Sequence, residues 1–263
     1  MSAPSETEPR SGQKPGVYVY GILPGDVELA EEIEGVGDPP GQVRLVRSGD
    51  LAALVSDVDL SRALGTPADL EVHEEILDST VTGSPVLPLR FGAVVTSEDA
   101  VVEELLEPHY DEFADTLREL EGRAEYVVKG RYVERAVLQE ILSENPEAAR
   151  LRDRLQGQDP DATRDARIRL GELINNAIEV KRQQDTRLLV SRVADYVAAS
   201  FIREPTHELD AVYAAFLVEE SKADELEQAV EEAAEDWDGR VDLTLRGPMA
   251  AWDFVGSRLE PQG

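Results

Sequence analysis

Arg90 and Arg246, each following a leucine in a β-type run, and His73 within His73-Glu-Glu-Ile-Leu77 are the side chains here whose chemistry merits weighing first. A guanidinium can clamp a carboxylate through two parallel hydrogen bonds, and an imidazole can move protons or hold a metal near neutrality. Their spacing narrows the choice. His73 has no second histidine at the position a zinc-binding H-E-x-x-H helix requires, and His109 and His207 lie far along the chain. On the apolar face of a predicted helix, His73 is expected to be half-buried and satisfied. A structural clamp to an acid is the expectation for both arginines. The paired carboxylates Glu74-Glu75, Glu103-Glu104, Glu219-Glu220 and Glu231-Glu232 occupy adjacent helix positions, which point to different faces and cannot hold one substrate.

Other familiar sites are missing from the sequence. It contains no Walker A run and no G-x-S-x-G elbow, and Gly35-x-Gly37 with Gly41 is the nearest approach to a dinucleotide loop. Pro39 and Pro40 remove backbone donors that would cradle a pyrophosphate there. With 0 cysteines the chain has no disulfide, zinc-thiolate or thiol nucleophile, and it suits a reducing compartment. The expectation is a protein with no catalytic residue, no cofactor and no metal.

Charge narrows the partners. The chain has 26 Lys plus Arg against 55 Asp plus Glu, a net charge of −29, which repels nucleic-acid phosphate and anionic lipid. Tyr126 and Tyr132 are six residues apart on a predicted strand, so they share a face that could stack bases, but the net charge opposes that reading. No nucleic acid and no membrane lipid are expected as partners. The first residues have neither a basic nor an apolar leader region, and no later run is apolar enough to span a bilayer, so a cytoplasmic location is expected.

The elements that must position these residues follow from periodicity and turn chemistry. Val17–Leu23 reads as a strand, and Val43–Arg47 and Leu51–Val55 as a hairpin about Gly49. Thr66-Pro67 opens a helix to about Thr82, Val86–Val95 is a strand, and Glu98–Glu107 and Tyr110–Glu121 are helices broken at Pro108. Ala124–Val133 restarts the pattern as a strand. Two helices follow, then a long helical stretch from Thr163 to Phe201 with a fully polar middle, Lys181–Arg187, which argues against a continuous coiled-coil seam. Leu209–Val218, Lys222–Trp237 and Val241–Leu245 complete a strand–helix–strand ending. The predicted division is a tail over 1–15, an α+β domain over 16–121, a second domain over 122–256 and a tail over 257–263. The second domain is read as ferredoxin-like with an inserted helical, coiled-coil-like arm at about 134–203.

Several runs in this order carry a resemblance. Tyr18-x-Tyr-Gly-Ile22, the helix bearing His73, Val86-Leu-Pro-Leu-Arg-Phe-Gly92, Glu125-Tyr-Val-Val-Lys-Gly130 and Leu245-Arg-Gly-Pro-Met-x-x-Trp-x-Phe-Val255 together resemble the gas vesicle accessory proteins GvpF and GvpL. Trp252 stands where that pattern usually has tyrosine. The resemblance covers Val17 to Val255 and implies a non-enzymatic accessory or minor structural protein of gas vesicles. It also implies contact with the small, apolar shell protein and with other gas vesicle accessory proteins, in aid of assembly. Pro88, Arg90, Phe91, Arg246, Pro248, Met249, Trp252 and Phe254 are the candidate partner-binding residues, with the docking surface expected at an open sheet edge or the groove between the domains. The competing reading makes Phe91 and Phe254 core, and a small-ligand-binding or regulatory α+β module is the alternative function.

Overall fold

A computed structural model describes residues 15–29, 32–81, 83–159 and 161–255. The tails expected at 1–15 and 257–263 lie outside the described residues except for Pro15, which opens the first strand. The fold is α+β, with one sheet of five strands and one of four. The chain divides into two compact units, one running to Ala124 and resuming at Pro248, the other spanning Glu125–Gly247. Residues 248–255, placed by sequence with the second domain, thus belong to the first unit.

In the first unit, β1 (Pro15–Pro24) pairs antiparallel with β3 (Leu51–Asp59), which pairs with β2 (Arg44–Ser48). Gly49 has φ +59° in the two-residue turn between Ser48 and Leu51, a left-handed value that glycine supplies without strain. Helix α1 (Pro67–Val81) begins with a reciprocal cap: Thr66 N–H donates to Asp69 Oδ2 at 2.9 Å and Asp69 N–H to Thr66 Oγ1 at 3.2 Å. The other edge of β1 is shared by two short strands, β4 (Leu87–Pro88) opposite Gly21 and Ile22, and β5 (Val94–Val95) opposite Val17 and Tyr18. Next come α2 (Glu98–Ala100), a π-helical segment Val101–Leu106, and α3 (Tyr110–Leu120), which packs on β1, β3 and β4. Tyr18, Tyr20, Ile22, Leu54, Leu77, Leu87, Leu106 and Phe113 fill the core.

The second unit is built on β6 (Arg123–Tyr132), followed by α4 (Glu134–Glu144), α5 (Pro146–Leu155) and the 30-residue α6 (Arg164–Val193). Then come β7 (Val197–Ile202), β8 (Asp210–Glu219), α7 (Ala223–Asp236) and β9 (Val241–Met249); α8 (Trp252–Val255) lies back in the first unit. The strand order β7-β8-β6-β9 is that of a βαββαβ unit in which α4 to α6 occupy the first crossover.

One expectation for this unit is corrected. The long helix ends at Val193, and the residues through Phe201 turn back as the edge strand β7. The polar middle of α6 is also an anchored segment. Lys181 and Asp185 are buried there: Lys181 Nζ donates to Glu140 and Glu144 of α4 at 2.7 Å each, and Arg240 Nη1 and Nη2 donate to Asp185 at 3.1 and 2.8 Å. Tyr132 Oη donates to Asp185 at 2.6 Å. Burial works against the charge of Arg240, but hydrogen bonds to Asp185 and Glu140 outweigh it and hold the guanidinium above its usual range.

Candidate functional site

The run Pro88-Leu-Arg-Phe-Gly92 leaves the edge of β1 for one turn between β4 and β5. Ala93 N–H donates to the Arg90 carbonyl at 3.3 Å and Gly92 has φ +90°, so Phe91-Gly92 occupy the centre of a type II turn. Leu89 N–H donates to the Tyr20 carbonyl and Val19 N–H to the Ala93 carbonyl, both at 2.9 Å, tying the two ends of the turn to β1.

Beneath the turn His73 is 1% exposed, more deeply buried than its sequence position suggested. Its Nε2 lies 3.1 Å from the Leu89 carbonyl, which can only accept, so Nε2 carries the proton. Nδ1 is then the acceptor for Tyr18 Oη–H at 3.0 Å, and Tyr18 Oη in turn accepts Gly92 N–H at 3.0 Å. Burial pushes His73 down to about 4 and Tyr18 up to about 12, so both are neutral near pH 7. An imidazole with both nitrogens engaged and no charge at neutrality is a pin for the turn and has no free position for acid–base work.

The two motif runs read separately in the sequence meet at this histidine. The Phe91 and Trp252 rings each lie 5.6 Å from the His73 ring, and Ala250 N–H donates to Asp78 of α1 at 2.9 Å, fixing the returning chain. Pro88 is buried as part of β4. Phe91, Met249, Trp252 and Phe254 are half-buried, and Arg90 and Pro248 are exposed. Arg246 stands in the second unit, exposed, with no ion pair among the described residues. Its neighbour Gly247 has φ +143°, and a Cβ there would come within 2.6 Å of the Tyr126 ring. Within the second unit two other arginines make carboxylate clamps: Arg203 reaches the buried Glu125 at 2.9 Å, and Arg240 takes Asp185.

The remaining sequence candidates are committed to structure. Gly35 N–H donates to the Gly41 carbonyl at 2.7 Å, Val36 N–H to Tyr20 Oη at 2.8 Å and Gly37 N–H to Asp69 at 3.4 Å, so the three amides of the glycine loop are spent within the protein. Tyr126 and Tyr132 are buried, which removes them as stacking platforms. Among the described residues no three His, Asp or Glu side chains gather closely enough to hold a metal ion, and no helix is long and apolar enough to cross a membrane.

One surface was not read from the sequence. β7 forms an end of its sheet with one side unpaired among the described residues, and Val197-Ala-Ala-Ser-Phe-Ile202 has no charge and no proline. Phe201 and Ile202 are 47% and 50% exposed. Seven uncharged residues between Asp195 and Arg203 in so acidic a chain were the available signal.

Residues 16–256 match the gas vesicle synthesis protein GvpL/GvpF family. A Streptomyces gas vesicle protein F is 33% identical, with 90% of this chain and 98% of the relative aligned, and a Streptomyces gas vesicle protein L is 31% identical over 91% and 92%. Crystal structures of gas vesicle protein GvpF from an Anabaena strain and from Microcystis aeruginosa superpose with TM-scores of 0.76 and 0.74, at 24% and 22% identity. Each covers 91% of this chain and 98% of the solved one, and they speak for the fold alone. The family match over nearly the whole described chain, together with the Pro-Leu-Arg-Phe-Gly turn pinned by His73, leads to one conclusion: this chain belongs to the GvpL/GvpF family and is a gas vesicle-associated protein.

Proposed function

We propose that this protein is a cytoplasmic accessory component of gas vesicles. It binds the small hydrophobic shell protein, works beside other accessory proteins, and assists assembly without making or breaking a covalent bond. A shell subunit with an exposed apolar face aggregates before it polymerises, and a partner that covers that face while carrying a net charge of −29 keeps the pair dispersed. The observation that supports a docking role is the edge of β7. Its sheet has two end strands, and β9 is defended by Asp242, Arg246 and Pro248, whereas β7 carries neither charge nor proline. An apolar segment of the shell protein adds there as a further strand, gaining backbone hydrogen bonds along the edge and apolar contact with Phe201 and Ile202.

The backbone direction suggests a clean test. Arg203 N–H donates inward to the Tyr213 carbonyl, so by alternation the amides of Ser200 and Ile202 face outward. Ser200→Pro removes an outward donor while sparing the β7–β8 ladder, and Ile202→Lys charges the edge. Both are expected to lower capture of purified shell protein by about tenfold or more while the far-UV spectrum stays unchanged. Unchanged capture by both folded variants refutes docking at β7, and no capture by the wild-type chain refutes the functional reading.

A further inference from the structure

The first unit holds a groove of about 620 Å³ that none of the features above uses. Its floor is apolar: Val27, Leu29 and Ile33 from the chain after β1 face Val72 and Ile76, one turn apart on α1. Its rim is acidic and exposed, with Glu28, Glu34 and Glu75, and among the described residues no lysine or arginine lines it. The nearby cation, Arg47, is spent on shape: Nε and Nη2 donate to the carbonyls of Gly25 and Val27 at 3.0 and 2.8 Å, holding the start of that wall.

An apolar floor under a one-sign rim selects a partner carrying both complements. We propose that the groove binds a cationic amphipathic segment of a partner protein, with the apolar side chains of one helical face on the floor and Lys or Arg against Glu28, Glu34 and Glu75. The volume falls within the range of about 300–1,000 Å³ found for ligand sites, and an exposed rim over half-buried Val27, Leu29, Ile33 and Val72, with Ile76 buried beneath, suits a helix laid into a groove. The net charge of −29 draws such a segment to the surface, and the groove selects where it stays. This proposal rests on the groove alone and is independent of docking at β7.

The test uses the full chain and three labelled synthetic 16-residue peptides read by fluorescence anisotropy at 0.15 M salt. One is Lys/Leu with leucines on one helical face, one replaces those leucines by serine, and one replaces the lysines by glutamate. Binding of the Lys/Leu peptide is expected to exceed that of either control by about tenfold or more. The double variant Glu34→Lys/Glu75→Lys is expected to weaken it about tenfold, while Glu225→Lys/Glu231→Lys on exposed α7, with the same change in net charge, leaves it within about twofold. Equal losses in the two variants reduce the effect to diffuse charge and overturn the proposal, as does the absence of Lys/Leu binding or its equalling by either control. Shell-protein capture measured on the groove variant separates the two surfaces, since a β7-docked partner is unaffected there.

Discussion

His73 makes stability depend on pH in a window where few other groups titrate. The imidazole is buried neutral and pushed down to about 4, whereas in the unfolded chain it takes its ordinary value of 6.5. Above pH 6.5 both states hold it neutral and it contributes nothing to the pH dependence. Between 6.5 and 4 the unfolded chain binds a proton that the native chain refuses, so stability falls as pH falls. Below 4 both states are protonated and the penalty stays constant at about 3 kcal/mol. Between pH 7 and pH 5 the loss is about 2 kcal/mol, some thirtyfold in the folding equilibrium. Urea unfolding followed by far-UV circular dichroism at pH 7, 6 and 5 measures it, with His73→Gln as the reference because glutamine keeps a donor for the Leu89 carbonyl and does not titrate. Wild type is expected to lose about 2 kcal/mol more than His73→Gln across this range. Parallel pH dependences for the two proteins refute the buried, neutral assignment and with it the pinned turn.

Removing Arg240 strands Asp185 and part of Glu140 without their cation, so Arg240→Ala is expected to cost about 3 kcal/mol in urea unfolding, against a far smaller cost for truncating the exposed pair partner Arg152. Gly92→Ala should cost about 1 kcal/mol, since its φ of +90° is disfavoured for alanine but open space surrounds the site. Gly247→Ala should cost about 3 kcal/mol or more, because a Cβ there also meets the Tyr126 ring at 2.6 Å and the Glu125 carbonyl at 2.9 Å. Thermal melts of the two alanine variants that coincide would show that crowding at Gly247 is relieved elsewhere.

Much of the fold was legible because local chemistry and tertiary structure agree. The Gly49 turn, the Thr66–Asp69 cap with Pro67 behind it, and the breaks at Pro108 and Gly122 each state an element boundary in the sequence itself. The mistake at β7 has a geometric origin. Val193, Val197 and Phe201 recur every four residues, and a four-residue step returns to the same face in a helix and in a strand alike. Only the loss of charge after Asp195 distinguishes the two. The role of the polar stretch Lys181–Arg187 was not legible for a different reason: its partners come from α4, β6 and the turn before β9. The junction at His73 was hidden similarly. His73, Phe91 and Trp252 were each singled out, but nothing local says that a segment beyond β9 crosses back to α1.

Under the proposed docking at β7, a second copy of this chain competes for the same edge. Two copies joined antiparallel with Val197 opposite Ile202 would bring Asp195 of each opposite Glu204 of the other, a like-charge contact at both ends of a strand whose residues Val197–Ile202 carry no charge. Glu208, Glu219 and Glu220 add acid close by, while Arg203 is turned inward to Glu125 and Tyr213 and offers little compensation. Such short-range repulsion acts within a Debye length of about 8 Å at physiological salt, so it protects the edge without relying on the distant bulk of the net charge. Under the proposed docking, the flanking acids disfavour a second copy and leave the apolar centre of the strand for a segment that lacks them. A short, uncharged strand of a different protein meets that condition, and high salt, by screening the acids, relaxes the discrimination before it weakens the apolar contact.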